Sequence, residues 1–255
     1  MITTCFKGGM GNQMFQYALG RIIAEAKGYK LEISDPDNRG NLLFDQFKNA
    51  GGVDGKEVKE NTMACAHDLQ YLDMNAVMGH NGHVLLHGYW QKYYYYTPHA
   101  DKIRQWFAYD DSQFEKPEPD DVVIHMRLGD QLKPDKIGLP ETVQVYIDLL
   151  NTIPHKRCIL VSDDPSDLFL APLRALPNVE VKHGSQMADF TMIKCAKRVI
   201  ISQSTYAWWA TFLGTPEQVW APLTSSQHRC LWKACPAVQD IDLIPLNNTY
   251  NIFKI

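Results

Sequence analysis

Residues 1–34 read MITTCFKGGMGNQMFQYALGRIIAEAKGYKLEIS, and the fold class turns on how this stretch is parsed. Met1 to Phe6 is an apolar run with β-branched residues, the pattern of a short strand. A glycine-rich turn follows. Phe15, Leu19, Ile22, Ile23 and Ala26 then recur at helical spacing, and Gly28 stands where a helix would stop. Tyr29 to Ser34 reads as the next strand. Strand, glycine loop, helix and strand in that order open an α/β fold.

The same alternation returns beyond residue 121. Strands DVVIHMR, RCILVS, NVEVKHG and RVIIS alternate with helical segments near 141–151, 166–176, 186–196 and 204–213, and QVWAPL closes as a further strand. Apolar strands separated by helices predict a parallel sheet covered on both faces. Ahead of them, HVLLHGYWQ reads as a strand and HADKIRQWFAY as a helix, while residues 38–82 are too polar and weakly periodic to assign. The proline-rich, acidic QFEKPEPDD is the best linker in the chain. The expectation is two α/β domains, residues 1–115 and 116–255.

Composition narrows the class. The chain has 255 residues, 45% hydrophobic and 21% charged, which suits one large or two compact globular domains. A net charge of −4 argues against a general nucleic-acid binder. There is no apolar run long enough to span a membrane, and Met1 leads straight into a strand rather than a signal-type segment, so the expectation is a protein soluble in the cytoplasm or a soluble domain cut from something larger. The six cysteines form no C-x-x-C pair and read as reduced thiols, with Cys5 and Cys158 inside strands and Cys195 in a helix.

In parallel α/β sheets, ligands bind beyond the carboxyl ends of the strands. There the second half collects Arg127, Gly129 and Asp130 after one strand, Asp163 and Asp164 after the next, and Ser202, Gln203, Ser204 and Thr205 after a third. Arg127 offers a planar fork for phosphate oxygens. Ser204 and Thr205 open a helix whose N–H groups and dipole favour an anion. Asp163 or Asp164 suits a ribose or a base edge. Each feature has a structural reading beside the functional one. Ser204 and Thr205 are ordinary helix caps, Asp163 to Asp167 makes an acidic cap with Pro165, His125 fits a satisfied core histidine, and Trp208 with Trp209 fits core packing. A dinucleotide fingerprint fits poorly: Gly9 and Gly11 match G-x-G, and Glu32 and Asp35 lie near the expected acid, but Met14 fills the third glycine's place.

GGMGNQMFQYALG resembles the GGLGNQMFQYA opening of the α-1,2-fucosyltransferases, glycosyltransferase family 11. HMRLGDQ is similar to that family's H-V-R-R-G-D motif, SDDP to its second motif, and SQSTYAWWATFLG to its N-S-T-F-S-W-W-G-A segment. HGYWQKYYYY resembles G-Y-F-Q-S-x-x-Y-F, and DFTMIKCAKRVIIS resembles D-F-x-x-M-x-x-C-x-x-x-I-I-A. These matches run in the family's order from residue 8 to about residue 222.

The resemblance implies the architecture called GT-B, two Rossmann-like domains facing a cleft, with an acceptor-side first domain and a second domain that binds the GDP-sugar. It implies GDP-β-L-fucose as donor, a glycan acceptor, no metal and no cofactor, and an inverting transfer that gives an α-fucoside, at O-2 if the family linkage holds. It implies a chain that is cytoplasmic or a soluble domain of a larger glycosyltransferase. Arg127 would hold the β-phosphate and stabilise the departing GDP. His125 and Asp163 would line the nucleotide site, with Asp164 and Ser202 beside them, and Ser204 and Thr205 would contact phosphates. Gly9, Gly11 and Gln13 would form the first domain's substrate edge, with Asn12 facing the reacting sugar and acceptor. Asp130, Asp135 and Glu141 follow the arginine motif as candidate bases, although for Asp130 a brace for the Gly129 turn is the favoured reading. Three positions depart from the pattern: Leu128 replaces a second arginine, Gln203 an asparagine and Ala207 a serine. They leave open a different nucleotide-sugar donor, or a non-catalytic domain that binds sugar.

Overall fold

The computed structural model describes residues 1–35, 43–66, 72–129, 142–223, 243 and 249–254. Two compact units emerge. The first comprises Met1–Tyr109 and includes Leu243; the second begins at Asp110. Both are α/β, and the strands of each sheet run parallel.

In the first unit, β1 (Ile2–Cys5), β2 (Leu31–Ser34), β3 (Met63–Ala66) and β4 (Val84–His87) form a sheet of order β2-β1-β4-β3. β1 is central, with Ile2 opposite both Leu31 and Val84. Helix α1 (Met10–Lys27) is buried along most of its length, Phe15, Tyr17 and Leu19 completely. It ends where the sequence predicts. Gly28 is left-handed (φ 63°), its N–H donates to the Glu25 carbonyl, and the Tyr29 N–H donates to that of Ala24. This pairing satisfies carbonyls that a helix end otherwise leaves open. Close approach of helix to sheet is provided by Gly20, where a Cβ would lie 3.1 Å from Leu31 Cδ1 and 3.3 Å from Thr4 Cβ.

The rest of the first unit departs from the sequence pattern. Helix α2 (Met74–Gly79) and β3 fall in the stretch that has no clear period. The strand expected over residues 83–91 stops at His87, because Trp90 adopts φ 54°. The tyrosines that follow form a helical turn, α3 (Tyr93–Tyr96), with Tyr95 and Tyr96 buried; α4 (Ala100–Trp106) comes next.

The second unit holds β5 (Asp121–Met126), α5 (Thr142–Thr152), β6 (Arg157–Ser162), α6 (Ala171–Arg174), β7 (Val179–Lys182), α7 (Gln186–Cys195), β8 (Arg198–Ile201), α8 (Thr205–Leu213), β9 (Gln218–Leu223) and β10 (Tyr250–Lys254). The strand order is β10-β9-β8-β5-β6-β7. Counted from β5 within the unit this is 3-2-1-4-5-6 read from the β7 edge, the doubly wound order whose ligand crevice lies where the winding reverses, between β5 and β8. β5 is buried throughout, as a central parallel strand must be. The opposite end of the sheet is fastened by Arg157, which grips the buried Asp121 through two bonds (2.6 and 3.2 Å) and Glu180 at 2.8 Å. Among the described residues Cys5, Cys65, Cys158 and Cys195 are free thiols, and no helix is long and apolar enough to cross a membrane.

Candidate functional site

Side chains alternate along β5, and the alternation continues past its end. Val122, Ile124 and Met126 join the core cluster with Tyr146 and Leu150 of α5, and Leu128 joins the same cluster, fully buried. Arg127 therefore lies on the side of His125, half-buried. The leucine that replaces a motif arginine thus occupies a core-facing position.

The Arg127 turn is held from both neighbouring strands. From the end of β8, Ser202 Oγ accepts the Arg127 N–H at 3.0 Å and pairs with His125 Nδ1 at 3.1 Å, while the Ser202 N–H donates to the His125 carbonyl at 3.0 Å. From the end of β6, Asp163 Oδ1 accepts the Leu128 N–H at 2.7 Å. A Cβ on Gly129 would lie 2.7 Å from the other Asp163 oxygen, so glycine is what lets the carboxylate approach. The turn-bracing carboxylate in the described structure is thus Asp163. Asp130, Asp135 and Glu141 lie outside the described residues.

Burial sets the state of His125. The ring is 5% exposed, and its pKa is pushed down to about 3, first by burial and then by the positive charge of Arg127. It is an uncharged hydrogen-bonding group at neutral pH, packed 5.9 Å from the Tyr206 ring. Tyr206 in turn donates its hydroxyl to the Gln186 carbonyl and meets Phe190 edge-on, tying α8 to α7.

Helix α8 starts three residues beyond Ser202. Ser204 caps it, its Oγ accepting the Ala207 N–H at 3.4 Å, and Ser204 and Thr205 are both buried. The capping reading of Ser204 holds, and it leaves the positive end of the helix dipole in the crevice. Asp164 is occupied locally: its N–H donates to Ser162 Oγ and its carboxylate accepts from Ser166. Asp167, rather than Asp163 or Asp164, caps the next helical turn through Phe169 N–H. The arrangement brings Arg127, His125, Asp163 and Ser202 into one hydrogen-bonded assembly at the switch point.

In the first unit the glycine turn is built for exposure at selected atoms. Gly8 has φ 76°, Gly9 is exposed, and Asn12 is half-buried. Gly11 and Gln13 are buried, and Gln13 Nε2 turns back to the Gly8 carbonyl at 3.4 Å. Gln16 Oε1 accepts the Lys7 N–H at 2.9 Å and closes the loop. The first turn of α1 carries no acidic residue and no side-chain cap, a helix end left favourable to ligand oxygens. Gln91 Nε2 donates to Asn12 Oδ1 at 3.0 Å, a contact the sequence does not announce. Among the described residues no group of histidine, cysteine or carboxylate side chains is arranged to hold a metal ion.

No protein-family model matches the chain. It is 24% identical over 251 residues to an α-1,2-colitosyltransferase of Escherichia coli, covering 81% of this chain and 85% of that protein. It is 23% identical over 275 residues to the O-antigen biosynthesis glycosyltransferase WbnK of Escherichia coli, covering 84% of this chain and 90% of the relative. These relatives are glycosyltransferases. A crystal structure of the α-1,6-fucosyltransferase NodZ soaked with GDP-fucose superposes with a TM-score of 0.44 at 11% identity, covering 86% of this chain and 93% of that one.

Proposed function

We propose that the chain is an inverting, metal-independent glycosyltransferase that moves L-fucose from GDP-β-L-fucose to a hydroxyl, O-2, of a glycan acceptor. One observation carries the reading: Arg127, its own N–H held by Ser202 and that of the next residue, Leu128, by Asp163, sits at the strand-order reversal of a doubly wound sheet, where such sheets bind nucleotides. Likeness to glycosyltransferases over more than four fifths of the chain supports the reaction class. The ordered motif set supports the donor.

The acceptor oxygen bonds to C1 of the sugar, the C1–O bond to the β-phosphate breaks, and the configuration at C1 inverts from β to α. The hydroxyl proton passes to a base, for which Asp130, Asp135 and Glu141 are the candidates. Negative charge grows on the departing diphosphate, and Arg127 with the α8 N-terminus meets it. Ser202, Ser204 and Thr205 shape the phosphate site, His125 and Asp163 hold its walls, and Asp164 lies at its edge. In the first unit, Asn12 is assigned to the acceptor sugar, with Gly9 exposed beside it and Gly11 and Gln13 behind.

The colitosyltransferase favours a second reading, in which the transferred sugar is colitose instead of fucose. The test is sugar transfer from GDP-fucose to galactose-terminated glycans by wild type and by Arg127→Ala. Removing one preorganised donor of this kind costs about 10²- to 10³-fold in rate, with folding unchanged. Near-wild-type turnover by the variant removes Arg127 from the chemistry. Failure with GDP-fucose and success with a colitosyl donor selects the second reading.

A further inference from the structure

The turn from β8 into α8 contains an exchange of hydrogen-bond partners that strand pairing alone does not explain. β5 and β8 run in register from Val122 opposite Arg198 to His125 opposite Ile201. One step further the ladder continues, and the Ser202 N–H donates to the His125 carbonyl at 3.0 Å. In a parallel pair the next bond would run from the Arg127 N–H to the Ser202 carbonyl. That carbonyl accepts the Ser204 N–H at 2.8 Å, and the Arg127 N–H donates to Ser202 Oγ at 3.0 Å. The hydroxyl stands in for the carbonyl of its own residue.

This exchange lets one residue serve two elements. Its carbonyl turns the chain into α8, while its hydroxyl keeps Arg127 in register with the end of β8. Oγ also pairs with His125 Nδ1 at 3.1 Å, and Ser202 is 6% exposed. A hydroxyl has one proton and two lone pairs, so with two protein partners most of its bonding capacity is already spent. The ladder itself needs no hydroxyl here, because its bond to His125 uses the Ser202 backbone alone. Nor does α8 need it. Ser204 Oγ accepts the Ala207 N–H, and the Ser204 carbonyl accepts the Trp208 N–H at 3.0 Å. What the side chain of Ser202 adds is a hold on the stretch from His125 to Arg127.

We infer that Ser202 is a positioning residue for Arg127. It acts by fixing the backbone from which the guanidinium projects, and its own hydroxyl makes no bond to the ligand. The inference rests on the diphosphate role proposed for Arg127.

The test compares Ser202→Ala with Ser202→Cys, which keeps nearly the same volume and offers only a weak acceptor. Both should lower kcat/KM for GDP-fucose by about ten- to hundredfold, the scale expected when a positioned group is displaced by about an ångström. In an Arg127→Ala background, Ser202→Ala should add little further loss, because the group it positions is gone. Losses that multiply in the double variant would overturn the proposal, since they would make Ser202 a ligand contact in its own right. A lower Tm with unchanged turnover per folded molecule would overturn it as well. A second readout needs no ligand. In the full chain without GDP, hydrogen exchange at the Arg127 amide should quicken in both Ser202 variants, while exchange at the Ile124 and Trp208 amides stays as in wild type. An Arg127 amide that keeps its protection rejects the hold, whatever the activity. Failure of wild type to transfer from GDP-fucose would instead reject the donor reading, and the ligand-free exchange would still decide whether Ser202 holds the Arg127 backbone.

Discussion

At the scale of single residues, burial decides which groups at the switch point carry charge. His125 and Arg127 are two positions apart on the same side of the chain, yet only the arginine keeps a positive charge at neutral pH. The folded pKa of His125, about 3, lies below the ordinary value of 6.5. The unfolded chain therefore binds a proton that the folded chain refuses across the interval between them. Stability from this group is full above about pH 6.5 and is lost as pH falls toward 3, with a slope of up to about 1.4 kcal/mol per pH unit. Urea unfolding at pH 7, 6, 5 and 4 should show a flatter decline for His125→Gln than for wild type. Parallel declines would mean that the imidazole accepts its proton without unfolding. Ser202 belongs to the same argument, because its hydroxyl serves both the His125 ring and the Arg127 backbone.

At the scale of elements, α1 shows what the sequence discloses and what it hides. Its start, its apolar face and its Gly28 stop are all legible, since glycine punctuation and helical spacing act locally. The position of its closest approach to the sheet is not, because it depends on which strands lie beneath. A dinucleotide fingerprint would put the packing glycine at position 14, but Met14 is buried there and Gly20 makes the contact instead. Gly20→Val should therefore push α1 from Thr4 and Leu31 and destabilise by about 1–3 kcal/mol, the usual cost of overpacking, measured by urea unfolding. An unchanged midpoint would show that the helix can shift without loss. The same distinction separates the strands. β5, β6 and β8 of the second unit are legible because burial writes continuous apolar runs. β3 is an edge strand of four residues, and β10 is an edge strand of mixed polarity; neither is long or apolar enough to leave such a trace. At the site, Arg127 and Asp163 are visible as residues following strands, and His125 as a histidine within one. The role of Asp163 as brace for Gly129, and the tie from Gln91 to Asn12, require the strand order and a left-handed Trp90 that no local pattern encodes.

At the scale of the whole molecule, the two parallel sheets are not equivalent. The second unit has the doubly wound order with its reversal between β5 and β8, while the first has the order β2-β1-β4-β3 and a glycine turn in which Gly9 is exposed and Asn12 half-buried. A nucleoside diphosphate needs fixed positive charge, and in the proposed function that charge comes from Arg127 and the α8 N-terminus of the second unit. The first-unit turn supplies a carboxamide already tied to Gln91, a group suited to a neutral hydroxyl. GDP added to the full chain in excess chelator should thus slow amide hydrogen exchange at 127–129, 162–164 and 202–206 and leave 8–13 unchanged. UDP and ADP should protect the same amides less at equal concentration, and Arg127→Ala should weaken the effect of GDP. Protection that needs added metal would contradict the metal-free reading. Protection centred on 8–13 would move the nucleotide to the first unit, and the glycine turn, despite Met14, would then be the phosphate-binding element.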